Sequence, residues 1–185
     1  MQMRIIDSHL NIEYLNKYSN GKLFIETGTY LGDTIWMVLE SALFDKIHSS
    51  EINAELYNRA VQLFDHKPQV VLWKEESYDC IAKVMKDLNN ETATFWLDAH
   101  ASGPLHGGKH GGSPVLLELE EILKSGNNQH TIFIDDRRLF GSAEWNGVKE
   151  EDAINLLKKI NPDYNIFFLD GHVEKDVICA TVKPK

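Results

Sequence analysis

The sequence predicts an α/β fold with seven strands in a mostly parallel sheet, and three observations lead there. Apolar runs alternate with amphipathic helical patterns almost from end to end, the signature of strand–helix repeats. The last two apolar runs are joined through Asp170-Gly171-His172-Val173-Glu174-Lys175, too short for a parallel crossover of about a dozen residues, so they close the sheet as an antiparallel pair. Five acidic residues, Glu26, Glu51, Asp98, Asp135 and Asp136, each end an apolar run. Ligands of open α/β sheets bind beyond the carboxyl ends of the strands.

Taken in order, Leu23-Phe24-Ile25 forms a short strand that stops at Glu26-Thr27-Gly28. Thr34 to Phe44 has a helical period with Ile35, Val38, Leu39 and Ala42 on one face. Lys46 to Ser50 is a strand ending at Glu51, and Asn53 caps a helix through Phe64. Val70 to Trp73 is the third strand, and Ser77 caps the helix carrying Ile81, Val84, Met85 and Leu88. Thr94 to Leu97 is the fourth strand, ending at Asp98; Pro114 then fits the first turn of a helix through Leu123. Thr131 to Ile134, a helix over Glu150 to Ile160, and strands over Asn165 to Leu169 and Val177 to Val182 complete the series. The acids of Lys149-Glu150-Glu151-Asp152 suit a helix N-terminus.

The chain of 185 residues suits a single domain: an N-terminal helical segment over 1–22 and a core over 23–185. With 43% hydrophobic and 25% charged residues it has the balance of a globular protein, and its net charge of −9 argues against a broad nucleic-acid surface. Apolar runs fall well short of a membrane span, and residues 1–15 are too polar for a signal peptide, so a cytoplasmic location is expected. Cys80 and Cys179 lie inside apolar stretches and read as buried thiols.

The first turn, Glu26-Thr27-Gly28-Thr29-Tyr30-Leu31-Gly32-Asp33-Thr34, follows a strand and opens a helix. Its Gly-x-x-x-Gly spacing lacks the complete dinucleotide cradle, and Glu26 would repel a phosphate while welcoming an ammonium. Glu-x-Gly-x-x-x-Gly after the first strand resembles the first motif of class I S-adenosylmethionine-dependent methyltransferases, whose fold is Rossmann-like. The resemblance runs from Leu23 to Val182 and includes the closing hairpin. It implies that Glu26, Thr27, Gly28, Gly32 and Thr34 surround the cofactor's amino-acid end. Glu51 would grip the ribose hydroxyls, and Glu76 and Ser77 would stand on the adenine side, with Asp98 also facing the cofactor.

The strongest chemical signal is Trp96-Leu97-Asp98-Ala99-His100 with Phe133-Ile134-Asp135-Asp136. Adjacent parallel strands would crowd Asp98, Asp135 and Asp136 together, and crowded carboxylates call for protonation or a cation. Oxygen ligands favour Mg²⁺, Ca²⁺ or Mn²⁺, Mg²⁺ first, and His106 and His110 joining His100 would favour a softer Zn²⁺, Fe²⁺ or Mn²⁺. The arrangement is similar to the metal-dependent O-methyltransferases of the catechol and macrocin types. That likeness implies metal-assisted methylation of a small hydroxylated acceptor, such as a sugar, with Asp98 and His100 as catalytic residues. His100 is a candidate base; the relatives carry Asp or Lys thereabouts, and Ala99 stands where a group of small methyltransferase-like proteins usually has Gly.

The loop from Ala101 to Ser113 contains His106 and His110, as ligands or as solvated loop residues, and its glycines suggest a lid. Arg137 or Arg138 could instead neutralise the aspartates without a metal, or bind an anionic substrate. Two other readings stand beside methyl transfer: a metal-dependent hydrolase or hydroxylase on this scaffold, and a non-catalytic binding module. Substrate selection would fall to the N-terminal segment, the loops or a second subunit of a homodimer.

Overall fold

The computed structural model describes residues 9–88, 91–100 and 112–183. Its elements, in chain order, are α1 (Ile12–Tyr18), β1 (Leu23–Thr27), α2 (Asp33–Ser41), β2 (Lys46–Ser50), α3 (Ala54–Phe64), β3 (Val70–Trp73), α4 (Ser77–Asp87) and β4 (Ala93–Leu97). They continue through α5 (Val115–Lys124), β5 (Thr131–Ile134), a 3₁₀ turn (Arg137–Leu139), α6 (Glu150–Ile160), β6 (Asn165–Leu169) and β7 (Val177–Thr181). The seven strands form one sheet in the order β3-β2-β1-β4-β5-β7-β6. The first five are parallel, and β7 runs antiparallel to both β5 and β6.

Strand order reverses between β1 and β4, where Thr27 is opposite Leu97 as well as Ser50. Leu97 in turn is opposite Ile134. This level register brings Gly28, Glu51, Asp98 and Asp135 out at one edge, the place where such sheets open a crevice.

Alternation along the buried strands feeds two cores. Ile25, Phe95, Leu97, Ile132 and Ile134 pack beneath α4, α5 and α6 through Ile81, Leu119 and Leu157. Phe24, Trp96, Phe133 and Cys179 face the other way, onto Leu15, Met37 and Val38 of α1 and α2. Strands buried on both faces read as continuous apolar runs, which is why β1, β4 and β5 carry no polar alternation. Asn11 caps α1 by accepting from the Tyr14 amide, and the helix buries Leu15 and Tyr18, each worth roughly 1.5–3 kcal/mol of transfer free energy. Cys80 and Cys179 are free, buried thiols, as expected. Among the described residues no helix is long and apolar enough to cross a membrane.

Several element ends differ from expectation, β1 running on through Thr27 among them, and three have a clear local cause. α2 stops at Ser41 because Ala42 adopts a left-handed conformation (φ 52°) and returns its amide to the Leu39 carbonyl, so Leu43 and Phe44 belong to the turn. Ser77 is the first residue of α4 rather than its cap: Glu76 occupies the cap position, and the Ser77 hydroxyl bonds Glu118 instead. Pro114 is likewise the residue before α5, where its missing N–H costs nothing.

Candidate functional site

The cofactor candidates gather at the ends of β1 and β2. Gly28 has φ +82°, and a Cβ there would stand 2.6 Å from the Asp98 carbonyl oxygen; its own amide donates to the Ser50 carbonyl. Gly32 has φ +80° at the start of α2, and a Cβ would meet the Phe64 ring at 2.7 Å. Both glycines are therefore required by the approach of neighbouring chain, before any ligand enters. Between them Tyr30 takes φ 47°, leaves half its ring exposed, and donates its amide to Glu51 Oε2 at 2.9 Å. The Asn53 amide donates to Glu51 Oε1 at 2.8 Å, while Asn53 caps α3 as expected. Each oxygen of the Glu51 carboxylate is thus fixed by one amide and keeps a second lone pair for another donor.

Glu26, only 1% exposed, accepts from the Ser49 hydroxyl and from Thr34 on α2. Ser49 Oγ lies 2.6 Å from Thr29 Oγ1, so three side chains form one buried relay. Loss of solvent, opposed by the Ser49 bond, pushes the Glu26 carboxyl up to about 8. Thr27 accepts the Asp98 amide on its hydroxyl at 3.1 Å, tying β1 to the end of β4. Glu76 and Ser77, both buried, stand at the start of α4 beyond β3.

The second cluster lies at the ends of β4 and β5. Asp135 Oδ2 is 2.7 Å from His9 Nδ1, and its Oδ1 accepts the Asp136 amide at 2.8 Å. Asp136, in a left-handed conformation (φ 55°), lies 3.0 Å from His100 Nε2 through Oδ2 and accepts Arg138 Nη1 on Oδ1. Arg138 also reaches the fully buried Asp176. His100 Nδ1 is 3.3 Å from Asp98 Oδ1 but is not aligned as a hydrogen bond with it. Two groups of three therefore have ligand atoms within 4.8 Å of one another: His9, Asp135, Asp136 and Asp98, His100, Asp136. They share Asp136, and each contains one histidine.

The electrostatics follow from this crowding. The hydrogen bond to Asp135 raises His9 to about 9 against the opposing cost of burial. His100 is also raised, because Asp98, Asp136 and Asp135 together outweigh its desolvation. Desolvation, with Asp135 and Asp136 nearby, raises Asp98 to about 6, and Asp135 is raised chiefly by burial. The Arg138 guanidinium pairs with Asp136 and Asp176, so Arg138, not Arg137, takes the neutralising role foreseen for that pair. Arg137 pairs with Glu150 and lies over the Phe168 ring at 3.8 Å.

Of the expected site residues, Glu26, Thr27, Gly28, Gly32, Thr34 and Glu51 gather around the ends of β1 and β2, Asp98, His100, Asp135 and Asp136 at the ends of β4 and β5, and Glu76 and Ser77 stand apart at the start of α4. His106 and His110, with most of their loop, lie outside the described residues. Sequence reasoning missed His9, which gave no local signal because its partner is 126 positions away. It missed Asp176, which enters through the closing hairpin. It also passed over Glu118, although an acid on the same stripe as Val115, Leu119 and Ile122 is itself a signal.

No protein-family model matches this chain, and no curated protein matches it in sequence. Solved structures do match it in shape. A Streptococcus mutans protein described as a methyltransferase, solved with S-adenosylhomocysteine (SAH), superposes with a TM-score of 0.59 at 12% identity, covering 97% of this chain and 98% of that one. A Staphylococcus aureus protein assigned as a caffeoyl-CoA O-methyltransferase matches at 0.53 and 14% identity, over 86% of this chain and 75% of that one. Thermotoga maritima spermidine synthase matches at 0.57 and 12% identity, over 97% of this chain; the chain spans 59% of the synthase's length. At such identities the likeness is one of fold, and that fold is the Rossmann-like one of the methyltransferases.

Proposed function

We propose that this protein transfers a methyl group from S-adenosylmethionine to the hydroxyl of a small acceptor, assisted by a divalent cation. The observation that carries the cofactor half is Glu51: a carboxylate at the end of β2, oriented by two backbone amides, with one lone pair per oxygen left for paired hydroxyls. Glu26 and the first turn would receive the amino-acid end, and Glu76 and Ser77 the adenine side.

The acceptor would lie over Asp98 and His100, across the switch point from Glu51. His100 takes the hydroxyl proton as the oxygen attacks the methyl carbon; the carbon–sulfur bond breaks and its electron pair stays on sulfur, leaving SAH. The nearby Asp98 carboxylate stabilises the imidazolium so formed. Holding oxygen, carbon and sulfur in line is the larger contribution of such a site.

The donor set fits a cation: carboxylate oxygens and imidazole nitrogens converge within 4.8 Å in both groups. Asp136 would hold it with Asp135 and His9, or with Asp98 and His100; among the described residues Asp98 and Asp135 do not share a group, and only the first set leaves His100 to act as the base. The nitrogen donors move the preference from Mg²⁺ towards Mn²⁺ or Zn²⁺. When bound, the ion supplies positive charge that makes a neighbouring hydroxyl more acidic.

The test is transfer of labelled methyl from S-adenosylmethionine to a panel of sugars and catechols, before and after chelation. We expect product that falls at least tenfold with chelator, is restored by Mn²⁺, and disappears in His100→Ala. Labelled product unaffected by chelator and by Asp98→Ala would support a metal-free reaction balanced by Arg138. Tight metal binding without methyl transfer or affinity for SAH would point to the hydrolase or hydroxylase reading.

A further inference from the structure

Glu118 is a buried acid that the mechanism above does not use. It projects from α5 on the stripe that carries Val115, Leu119 and Ile122, and it is 1% exposed. An acid in such a position loses its hydration and needs partners, which a leucine of similar size would not. Its partners are two hydroxyls from different parts of the cleft. One is Thr27, the last residue of β1; the other is Ser77, the first residue of α4. The Thr27 oxygen already accepts the Asp98 amide at 3.1 Å, which leaves its proton for Glu118. Ser77 is the first residue of α4, with Glu76 in the cap position, and its hydroxyl bonds Glu118. Glu118 Oε1 has no hydrogen-bond partner among the described residues, so the acid is not there to complete a closed polar network.

We propose that Glu118 is a positioning residue of the nucleoside cleft, tying the ends of β1 and β4 to the start of α4 through the Thr27 and Ser77 hydroxyls. Those three segments hold the first turn, Asp98 and the adenine-side pair, so the tie sets the width of the cleft between them. Without it the sheet and α5 remain packed by their apolar contacts, while α4's first turn and the end of β1 lose their common anchor. The inference rests on the cofactor reading above and adds a residue to it.

Calorimetric titration with SAH, together with thermal unfolding, tests this in wild type, Glu118→Gln, Glu118→Asp and Glu118→Leu. Glutamine keeps an acceptor at the same reach and is expected to bind within about threefold of wild type. Leucine removes the acceptor and aspartate shortens it; both are expected to weaken SAH about tenfold. The leucine variant should do so with a melting temperature equal to or above wild type, which separates positioning from a loss of fold. Should leucine not fold, the aspartate variant carries the comparison. Unchanged SAH affinity in Glu118→Leu or Glu118→Asp overturns the proposal, as does an equal loss in Glu118→Gln. Wild type that fails to bind SAH overturns both this role and the cofactor reading, whereas wild-type binding with indifferent variants overturns this role alone.

Discussion

The two ends of the ligand edge solve the problem of buried carboxylates in opposite ways. Beyond β1 and β2, Glu26 and Glu51 are separate, and each is held by neutral donors: hydroxyls of Ser49 and Thr34 for one, amides of Tyr30 and Asn53 for the other. Beyond β4 and β5, Asp98, Asp135 and Asp136 crowd together with Asp176 behind them, and are met by His9, His100 and Arg138. Neutral donors orient a carboxylate while leaving it hungry for further hydroxyl or ammonium donors. A crowd of carboxylates instead creates demand for positive charge, which protons on histidine satisfy and a divalent ion would satisfy better. On the proposed reading one end would serve as an oriented receptor and the other as a cation trap, and the two meet where Gly28 passes close to the Asp98 carbonyl.

Breaking that junction should have the largest effect. Gly28→Ala forces a side chain into a left-handed backbone and against the Asp98 carbonyl, and we expect a loss of about 2–4 kcal/mol in urea unfolding, with both ends impaired. Asp176→Ala attacks the cation trap alone. It removes the buried counter-charge of the partly exposed Arg138, and about 1–2 kcal/mol of stability should be lost while SAH affinity stays near wild type.

The smallest effect is the pH dependence of the ligand-free protein. Glu26, raised to about 8, and His9, raised to about 9, hold protons more tightly folded than unfolded. Glu26's contribution is therefore full below its unfolded value near 4.5, His9's below 6.5, and each is lost as pH climbs through the folded value. His48 and His130, both lowered to about 4 by burial, act in the opposite sense: their contribution is present above 6.5 and lost as pH falls towards 4. Asp98, raised to about 6, acts in the sense of Glu26 and offsets these histidines on the acid side, so the net expectation is a melting temperature that falls as pH climbs from about 6.5 to 9. Glu26→Gln should lessen that fall up to about pH 8; an unchanged fall would show that the receptor end does not titrate.

Much of this was legible locally. The bounds of β2, α3, β5, α6 and β6 follow from period and caps, and the acids at strand ends announce the edge because parallel strands in level register must bring them out together. What local pattern could not carry is reach across the fold. His9 meets Asp135 only because α1 packs Leu15 and Tyr18 under the sheet, and Asp176 meets Arg138 only through the closing hairpin. The family resemblance set the two glycines around a cofactor; the structure shows that each first makes room for a neighbour, Asp98 and Phe64. Ser77 looked like a cap because serine usually is one; its hydroxyl is taken by Glu118, an acid whose place on an apolar stripe was visible and unread.

The measurement that bears most directly on the division between receptor and trap is calorimetric titration of chelator-treated protein with SAH, in wild type, Glu51→Ala and Asp136→Ala. The account predicts micromolar binding without any metal, lost about a hundredfold in Glu51→Ala and retained in Asp136→Ala. Absence of binding to wild type, or equal losses in the two variants, would contradict it.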